Sequence, residues 1–299
     1  MALTAALGGG AVPRKSRPVA LTPDEPASVA FVTIATECVD HWRTNEALLL
    51  GSRAMPHLHQ TRVGIRRLRS AFSLFRPLLR DAAGSAHVAH RLRTLALPFG
   101  PARDLDVLLS GPHVEPLDER QVALLLGARE TAYDEVLEVL RSRRWAKAGQ
   151  RLDHLLADAP WDLAHDPPLR PLADRALERR WRHVVGHADR LAEMAPAERH
   201  RVRIEAKKLR YGCEFLASLY AVGSPRVVTE AGVVLTGPLA YAWQVEHVQS
   251  ALGALNDHHT ADHQLRSVGS AAASVDEEAL LDTGIAAVQA LAAVPPFWH

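Results

Sequence analysis

The pattern that decides the fold is written twice in this chain, as His59-Gln60-Thr61-Arg62-Val63-Gly64-Ile65-Arg66-Arg67-Leu68-Arg69 and as His200-Arg201-Val202-Arg203-Ile204-Glu205-Ala206-Lys207-Lys208-Leu209-Arg210. Both copies follow the pattern H-x-x-R-[VI]-x-x-[RK]-[RK]-L-R, and the second begins 141 positions after the first (200 minus 59). The spacing of their charged and apolar residues predicts two equivalent helices, each with a basic face.

On a helix, the basic residues of each copy fall within one stripe about 80° wide, next to an apolar stripe. Like charges four residues apart repel each other, so a helix gains nothing from such a column by itself. We therefore expect an anionic group to bind there. The predicted binding residues are His59, Arg62, Arg66 and Arg69 in the first copy, and His200, Arg203, Lys207 and Arg210 in the second.

The rest of the chain reads as helices separated by Gly- and Pro-rich breaks, which predicts an all-α fold. The predicted helices are Pro26–Leu50, His57–Arg80, His87–Leu97, Asp118–Ala157 with breaks near Ser142 and Gly149, Leu172–Met194, Pro196–Tyr220, Leu239–Leu255 and Val275–Val294. β-Branched runs near Val227 and Val233 are the only hint of strands.

A second repeated motif supports an internal duplication. Gly100-Pro101-Ala102-Arg103-Asp104 is echoed by Gly253-Ala254-Leu255-Asn256-Asp257, 153 positions later (253 minus 100). The additional twelve residues are placed in Val222–Pro238. We predict a disordered tail over 1–25, a first half over about 26–160 and a second half over about 168–299, related by a pseudo-twofold axis, with the two basic helices facing each other across a central groove.

Composition limits the class of protein. Apolar residues make up 47% of the 299 residues, enough for a large core, and the net charge is only +1, so any polyanion must be bound by local clusters of basic residues. The two cysteines, Cys38 and Cys213, imply no disulfide framework and suit a reducing cytosol. The apolar runs are too short to span a bilayer, so we expect a cytoplasmic protein without a membrane partner. Nothing in the sequence indicates the oligomeric state.

Together, these motifs resemble those of the CHAD family, the conserved histidine α-helical domain, over residues 26–295. The resemblance rests on the two basic stretches, on Gly100-x-x-Arg103-Asp104-x-Asp106-Val107 and on Leu252-Gly253-x-x-x-Asp257. It implies two pseudo-symmetric four-helix bundles with a basic central cleft, binding of inorganic polyphosphate, and recruitment to polyphosphate granules. The second half departs from the first at two positions, with Asn256 in place of Arg103 and His259 in place of Asp106.

Several other charged residues lie outside the two basic columns. A second set of candidate binding residues lies on other helix faces or in the Gly-containing motif: Arg67, Arg103, Arg175, Arg179, Arg182 and Lys208. The acidic residues Asp104, Asp106 and Asp257 follow Gly-containing turns, where they can cap a helix or orient the basic residues. We favour a structural role for all three.

Two other functions were considered. His259 and His263 are four residues apart, near Asp257, His258 and Asp262, and this spacing can chelate a divalent metal. The alternatives are thus a divalent-metal-dependent enzyme that processes polyphosphate, or a metal-chelating histidine-rich protein. No device for reading bases is evident, and aromatic residues make up only 5% of the chain, so stacking platforms for single-stranded nucleic acid are poorly represented. We therefore expect no sequence-specific nucleic-acid partner. With no nucleophile motif, we predict a binding module without catalytic residues, metal or cofactor.

Overall fold

A computed structural model describes residues 11–80, 82–157, 166–220, 223 and 225–299, apart from the side chains of Asp189 and Leu255. The first half contains the helices α1 (Ala27–Gly51), α2 (Met55–Leu74), α3 (Arg76–Leu79), α4 (Ser85–Leu95), α5 (Phe99–Ser110), α6 (Glu119–Arg141) and α7 (Arg143–Ala157). The second half contains α8 (Leu169–Val185), α9 (Pro196–Phe215), the strands β1 (Arg226–Val228) and β2 (Val234–Thr236), α10 (Gly237–Arg266) and α11 (Glu277–Ala292). The all-α fold is confirmed.

Several predicted helix boundaries were wrong. The predicted break at Gly149 does not occur, because α7 runs through it, whereas the break at Ser142 does. Helix α8 ends at Val185, well before the predicted Met194. Helix α10 continues past Leu255 to Arg266, so the second Gly-containing motif lies inside a helix.

The corresponding region of the first half is broken into two helices. Helix α4 ends at Leu95 and α5 begins at Phe99, with Pro98 between them. Proline has no backbone N–H to donate to the preceding turn, so it ends a helix, and the second half has no proline at this point. The prediction that the Gly100 motif follows a helix stop was therefore correct, but the motif itself opens α5.

The stretch between α9 and α10 forms a small antiparallel hairpin. Arg226 pairs with Thr236 and Val228 with Val234, and Gly232 takes up a left-handed conformation in the turn (φ +76°). The β-branched runs near Val227 and Val233 are these two strands. The predicted insertion also includes 221, 222 and 224, which lie outside the described residues.

The core is built around the close packing of α1 on α2. A side chain at Gly64 would place its Cβ 2.8 Å from backbone atoms of Trp42, so only glycine permits this approach. Near the other end of the pair, Phe31 packs edge-on against Phe72, with ring centroids 5.3 Å apart. The basic helix α2 is thereby fixed on one side by the core and leaves its charged face free.

Helices α2 and α9 contact each other through their C-terminal halves. Arg66 Nε donates a hydrogen bond of 2.8 Å to the Tyr211 hydroxyl, and the buried Arg67 pairs with Glu214. A Cβ on Gly212 would lie 3.5 Å from Leu74. The N-terminal parts of the two helices border a cleft that is also lined by α5 and α10.

The order of elements is similar in the two halves. Each has a helix, a basic helix, a short turn, a region carrying the Gly-containing motif, and a further helix, although the first half adds α7 and the second adds the hairpin. The duplication itself stays a prediction, and so does the pseudo-twofold axis.

The described part of the predicted tail is ordered against α1. Arg14 forms an ion pair of 2.6 Å with Glu37, and its backbone N–H donates to Asn45. Leu21 is buried, and its backbone N–H donates to the Ser218 hydroxyl. Residues 11–25 thus differ from a disordered tail because they have specific partners, while 1–10 lie outside the described residues, as do 158–165 in the predicted connection.

A helix that is both long and apolar enough to span a bilayer does not occur in the described ranges.

Candidate anion-binding cleft

A cleft of about 600 Å³ lies between the two halves. The basic residues that line it come from both halves: His59, Arg62, Arg66, Arg103, His113, His200, Arg203, Lys207 and His258. All eight residues of the two basic columns were predicted to bind together, and six of them line this space: His59, Arg62, Arg66, His200, Arg203 and Lys207. The cleft is where the two repeated stretches meet.

The cleft carries more positive than negative charge. Five arginine and lysine side chains line it, and the carboxylates in its lining are Asp104 and Asp257. Asp257 forms an ion pair of 3.2 Å with Arg203 and is largely exposed. Burial raises the pKa of Asp104, against the opposing effect of the Arg62 charge, so this carboxylate is itself held less readily as an anion.

The charges of the two halves act on one another across the cleft. Burial and the positive charges of Arg203 and Arg66 lower the pKa of Lys207 to about 7. Arg66 belongs to α2 and Lys207 to α9, so the two columns are close enough to disfavour each other's charge. An anion placed between them relieves this repulsion.

The two histidines of the repeat have lowered pKa values. Burial and the charges of Arg103 and Arg66 lower the pKa of His59 to about 4, so its ring is neutral at neutral pH. Burial and the charge of Arg203 also lower the pKa of His200, whose residue is more exposed. At neutral pH these rings contribute N–H donors rather than charge.

Some guanidinium donors in the cleft lack a partner. The buried atoms Arg103 Nη1 and Arg203 Nε have no hydrogen-bond acceptor among the described residues. Leaving buried donors unsatisfied costs free energy, and a ligand rich in oxygen atoms supplies the missing acceptors.

The first glycine of each Gly-containing motif packs against an arginine of the basic column in the same half, Gly100 against Arg62 and Gly253 against Arg203. A Cβ on Gly253 would be 2.7 Å from Arg203 Nη2, and a Cβ on Gly100 would be 3.4 Å from Arg62 Nη1. The two arginines are equivalent in the 141-residue repeat. The glycines therefore let the arginine side chains cross the motif helices and reach the cleft, which explains why the two motifs recur together.

Asp106 has a structural role in the first half. It is fully buried, pairs with Arg129 Nε at 2.8 Å and accepts a hydrogen bond of 2.8 Å from the Tyr133 hydroxyl. Arg129 also donates to the carbonyl of Arg53. This network attaches α5 to α6 and so fixes the helix that carries Arg103. In the second half the equivalent residue is His259, whose Nε2 lies 3.0 Å from a carboxylate oxygen of Glu277 on α11.

Two of the eight column residues lie outside the cleft. Arg69 lines a separate pocket with α4, whereas Arg210 pairs with Glu246 at 2.9 Å and with Glu214 at 3.4 Å. The repeat did not predict that Arg69 lines a pocket while the equivalent Arg210 forms ion pairs.

Of the second set of predicted residues, one lines the cleft and the other five do not. Arg103 lines the cleft. Arg67 is buried beneath it, over the rings of Phe215 and Tyr211, and Lys208 pairs with Glu205 at 2.5 Å. The remaining three, Arg175, Arg179 and Arg182 of α8, are exposed and do not line the cleft.

Other polar residues of the lining were not predicted. They are His113, His258, Thr260 and Gln264. The last three lie on the part of α10 that was expected to follow a helix end. A reading of α10 as one continuous helix would have placed Thr260 and Gln264 about one and two turns beyond Asp257, with His258 next to it.

Two of the residues that suggested a metal site, His259 and Asp262, have other partners. His259 contacts Glu277, and Asp262 pairs with Arg266 at 2.7 Å and accepts a hydrogen bond from the backbone of Ala272. Within the described ranges, no group of three or more His, Cys, Asp and Glu side chains is arranged to hold a metal ion.

Comparisons with known proteins agree with this architecture. The model of the CHAD domain family matches residues 33–266. The crystal structure of the CHAD domain from the plant Ricinus communis is similar over 95% of this chain and 94% of that chain, with 25% identity and a TM-score of 0.72. PptA from Streptomyces chartreusis is similar over 90% of this chain and 97% of that chain, with 17% identity and a TM-score of 0.57, and this likeness shows the fold alone.

No curated protein sequence matches the chain. The family model nevertheless covers most of the sequence, including both basic stretches and both Gly-containing motifs. On that match, the chain belongs to the CHAD family.

Proposed function

We propose that this protein binds inorganic polyphosphate in the cleft between its halves, without cleaving it. The observation that carries the proposal is the convergence of two basic columns, from stretches 141 residues apart, on one cleft with few carboxylates. The family to which the chain belongs, and the expectation of polyphosphate binding that the resemblance implies, support the same function.

The charge of the cleft suits a linear polyanion. Polyphosphate carries about one negative charge per phosphate, and binding between two columns of cations releases the counterions of both. Burial is the main reason for the low pKa of Lys207 and of His59, and the positive charges of neighbouring arginines lower both values further. A ligand that brings several linked negative charges relieves more of this repulsion than a single phosphate does.

The donors also suit phosphate oxygens. Arginine presents a planar fork of N–H groups that matches two oxygen atoms of a phosphate. Arg103 Nη1 and Arg203 Nε are buried donors without an acceptor among the described residues, and they lie in different halves. We expect successive phosphates of one chain to accept from both.

Binding is favoured over hydrolysis by the nature of the acidic groups. Metal-dependent phosphate hydrolysis needs carboxylates that hold divalent ions near the scissile bond. Here Asp257 is paired with Arg203, and Asp104 lies among arginines. A dication at either residue is repelled by the same cations that attract the phosphate. Recruitment of the protein to polyphosphate granules is a further consequence of such binding.

A titration of the purified protein tests this proposal. Long-chain polyphosphate is expected to bind much more tightly than orthophosphate and to resist competition by single-stranded DNA. Substitution of Arg62→Ala with Arg66→Ala is expected to abolish most of this affinity, while Arg91→Ala with Arg144→Ala, which removes the same charge from exposed sites, leaves it intact. Equal loss in both double variants contradicts a specific cleft.

The same samples test whether the protein is an enzyme. Polyphosphate incubated with the protein and Mg²⁺ or Mn²⁺ is expected to keep its chain length on a gel. Progressive shortening that disappears in the Arg62→Ala, Arg66→Ala variant favours the hydrolase instead. A stoichiometric metal that is lost on substitution of His259→Ala and His263→Ala favours the metal-binding alternative.

A further inference from the structure

A second basic pocket, the outer pocket, lies next to the cleft on the surface of the first half. It measures about 520 Å³ and is formed by the C-terminal part of α2, by α3 with Arg80, and by one face of α4. Its basic residues are Arg69, Arg76, Arg80, His90 and Arg93, above a floor that includes Phe72, Leu79 and Ala89. None of these arginines pairs with a carboxylate among the described residues.

The outer pocket adjoins the central cleft along α2. Arg66 lines the cleft and Arg69 lines the outer pocket, and three residues of helix separate them by about 4.5 Å. Partial desolvation and the charges of Arg93 and Arg66 lower the pKa of Arg69, so the three guanidinium groups lie within range of one another. The first basic column thus continues from the cleft into the outer pocket.

In the second half, the charge at the equivalent position is neutralised. Arg210, the equivalent of Arg69, forms ion pairs with Glu246 at 2.9 Å and Glu214 at 3.4 Å. In the two repeats, Glu214 corresponds to Ser73 (214 minus 141) and Glu246 corresponds to Arg93 (246 minus 153).

The different surroundings of these two equivalent arginines shift their pKa values in opposite directions. Although burial opposes the charged form, Glu214 and Glu246 hold the pKa of Arg210 above its ordinary value, whereas the pKa of Arg69 lies below it. In the first half, Ser73 and Arg93 occupy the positions of these two glutamates, so no carboxylate there neutralises Arg69.

From this asymmetry we infer that the outer pocket is a second phosphate-binding subsite, which holds the part of a long polyphosphate chain that leaves the cleft over the first half. The inference rests on the proposed function of the cleft. A chain that fills both sites gains the outer contacts at high effective concentration, because its bound end is already held nearby. A short chain fills the cleft alone, so the outer pocket makes the protein prefer long chains and gives the bound chain one favoured exit.

The test compares charge reversals on the two sides of α4. Arg93→Glu puts into the first half the residue type that neutralises Arg210 in the second, and Arg91→Glu makes the same charge change on an exposed residue of the same helix that does not line the pocket. Affinities for long-chain polyphosphate and for tripolyphosphate are measured for both variants, and circular dichroism checks that each is folded.

We expect Arg93→Glu to weaken long-chain binding about tenfold and to leave tripolyphosphate binding unchanged, because one charge-assisted contact is lost and a repulsion is added. The slope of log affinity against log salt concentration is expected to become shallower by about 0.7 or more, which is the contribution of one phosphate contact. Arg91→Glu is expected to leave both affinities near those of the unsubstituted protein. The reverse change, Glu246→Arg, frees Arg210 of one carboxylate and is expected to strengthen long-chain binding.

The outcomes separate the two proposals. If Arg93→Glu and Arg91→Glu behave alike, or if Arg93→Glu weakens tripolyphosphate equally, the outer subsite is wrong. The cleft still stands in that case, provided that Arg62→Ala with Arg66→Ala abolishes binding of both ligands. If that double variant binds normally, the proposed function itself is wrong. A loss of single-stranded DNA binding in Arg93→Glu, without loss of polyphosphate binding, also contradicts the subsite.

Discussion

The two basic helices carry the same column of residues but lie in different surroundings. In the first half, Arg62 and Arg66 have no ion-pair partner among the described residues, although Arg66 donates to Tyr211. In the second half, Arg203 is paired with Asp257, and Lys207 has a pKa of about 7. A repeated motif therefore predicts where cations lie more reliably than it predicts how much charge they carry.

This difference gives the halves different tasks. In the cleft, the first half presents arginines that form no ion pair among the described residues, and it is expected to supply most of the affinity. The second half holds a charge that responds to the ligand, because an anion in the cleft raises the pKa of Lys207 back toward its ordinary value. The comparison is tested below by changes that affect one half at a time.

The largest effect is expected from removing two cations of one column. Arg62→Ala with Arg66→Ala removes two charge-assisted contacts, each contributing roughly 1.5–3 kcal/mol, so long-chain affinity is expected to fall by about a hundredfold or more. Arg203→Ala with Lys207→Ala is expected to weaken binding by less, since both residues are partly neutralised in the free protein. Isothermal titration calorimetry measures both.

Each double variant requires a check by circular dichroism, because these residues border the core. The shared cleft is contradicted if one double variant binds long chains normally while the other loses all binding. In that event one half holds the whole site.

A smaller effect is expected from the two glycines. Gly253→Ala places a methyl group 2.7 Å from Arg203 Nη2 and must displace this side chain, so we expect a loss of affinity of about three- to tenfold. In Gly100→Ala the methyl group lies 3.4 Å from Arg62 Nη1, and affinity is expected to change little. Alanine favours a helix over glycine, so neither loss is attributed to unfolding if the melting temperature is maintained. Equal effects at the two positions contradict the role given to Gly253.

The smallest effect concerns pH. With a pKa of about 7 in the free protein, Lys207 must take up a proton when an anion binds above neutral pH. Long-chain affinity is therefore expected to fall severalfold between pH 7 and 9, and Lys207→Arg, which stays charged, is expected to flatten this dependence. Calorimetry in buffers of different ionisation enthalpy measures the proton uptake. An unchanged pH profile in Lys207→Arg contradicts this assignment.

As pH rises above 7, the stability of the free protein is expected to increase, whereas its affinity for polyphosphate decreases. Between pH 7 and the ordinary pKa of lysine, 10.5, the unfolded chain keeps the proton on Lys207 that the folded chain has lost. The unfolded state then binds more protons, so the contribution of Lys207 to the free energy of unfolding rises with pH across this window. His59 acts likewise between about 4 and 6.5, where acidification destabilises the fold. Denaturant unfolding of the ligand-free protein measures both trends.

Much of the fold was predictable because its signals are local. Periodicity identified the helices, and Ser142 was recognised as a break. Gly149 was misread as another, because a glycine inside a helix is tolerated when the faces on either side pack well. The extent of α10 was missed for a related reason: Gly253 resembles a stop signal, yet it is there to make room for Arg203.

The cleft was predictable only in part. The repeat correctly indicated that residues of both halves line a common space, because equal registers beside the core point side chains in equivalent directions. It could not separate Arg69 from Arg210, since their different environments depend on Arg93 and Glu246, which are distant in sequence. The pairing of Arg67 with Glu214 likewise depends on tertiary contacts.

The salt dependence of long-chain polyphosphate binding tests the central claim most directly. If one chain crosses both columns, log affinity is expected to fall linearly with log salt concentration between low and physiological ionic strength, with a slope that reflects several phosphate contacts. The slope is expected to become shallower in either double variant. An affinity that is independent of salt, or a slope that neither double variant changes, contradicts binding of polyphosphate in this cleft.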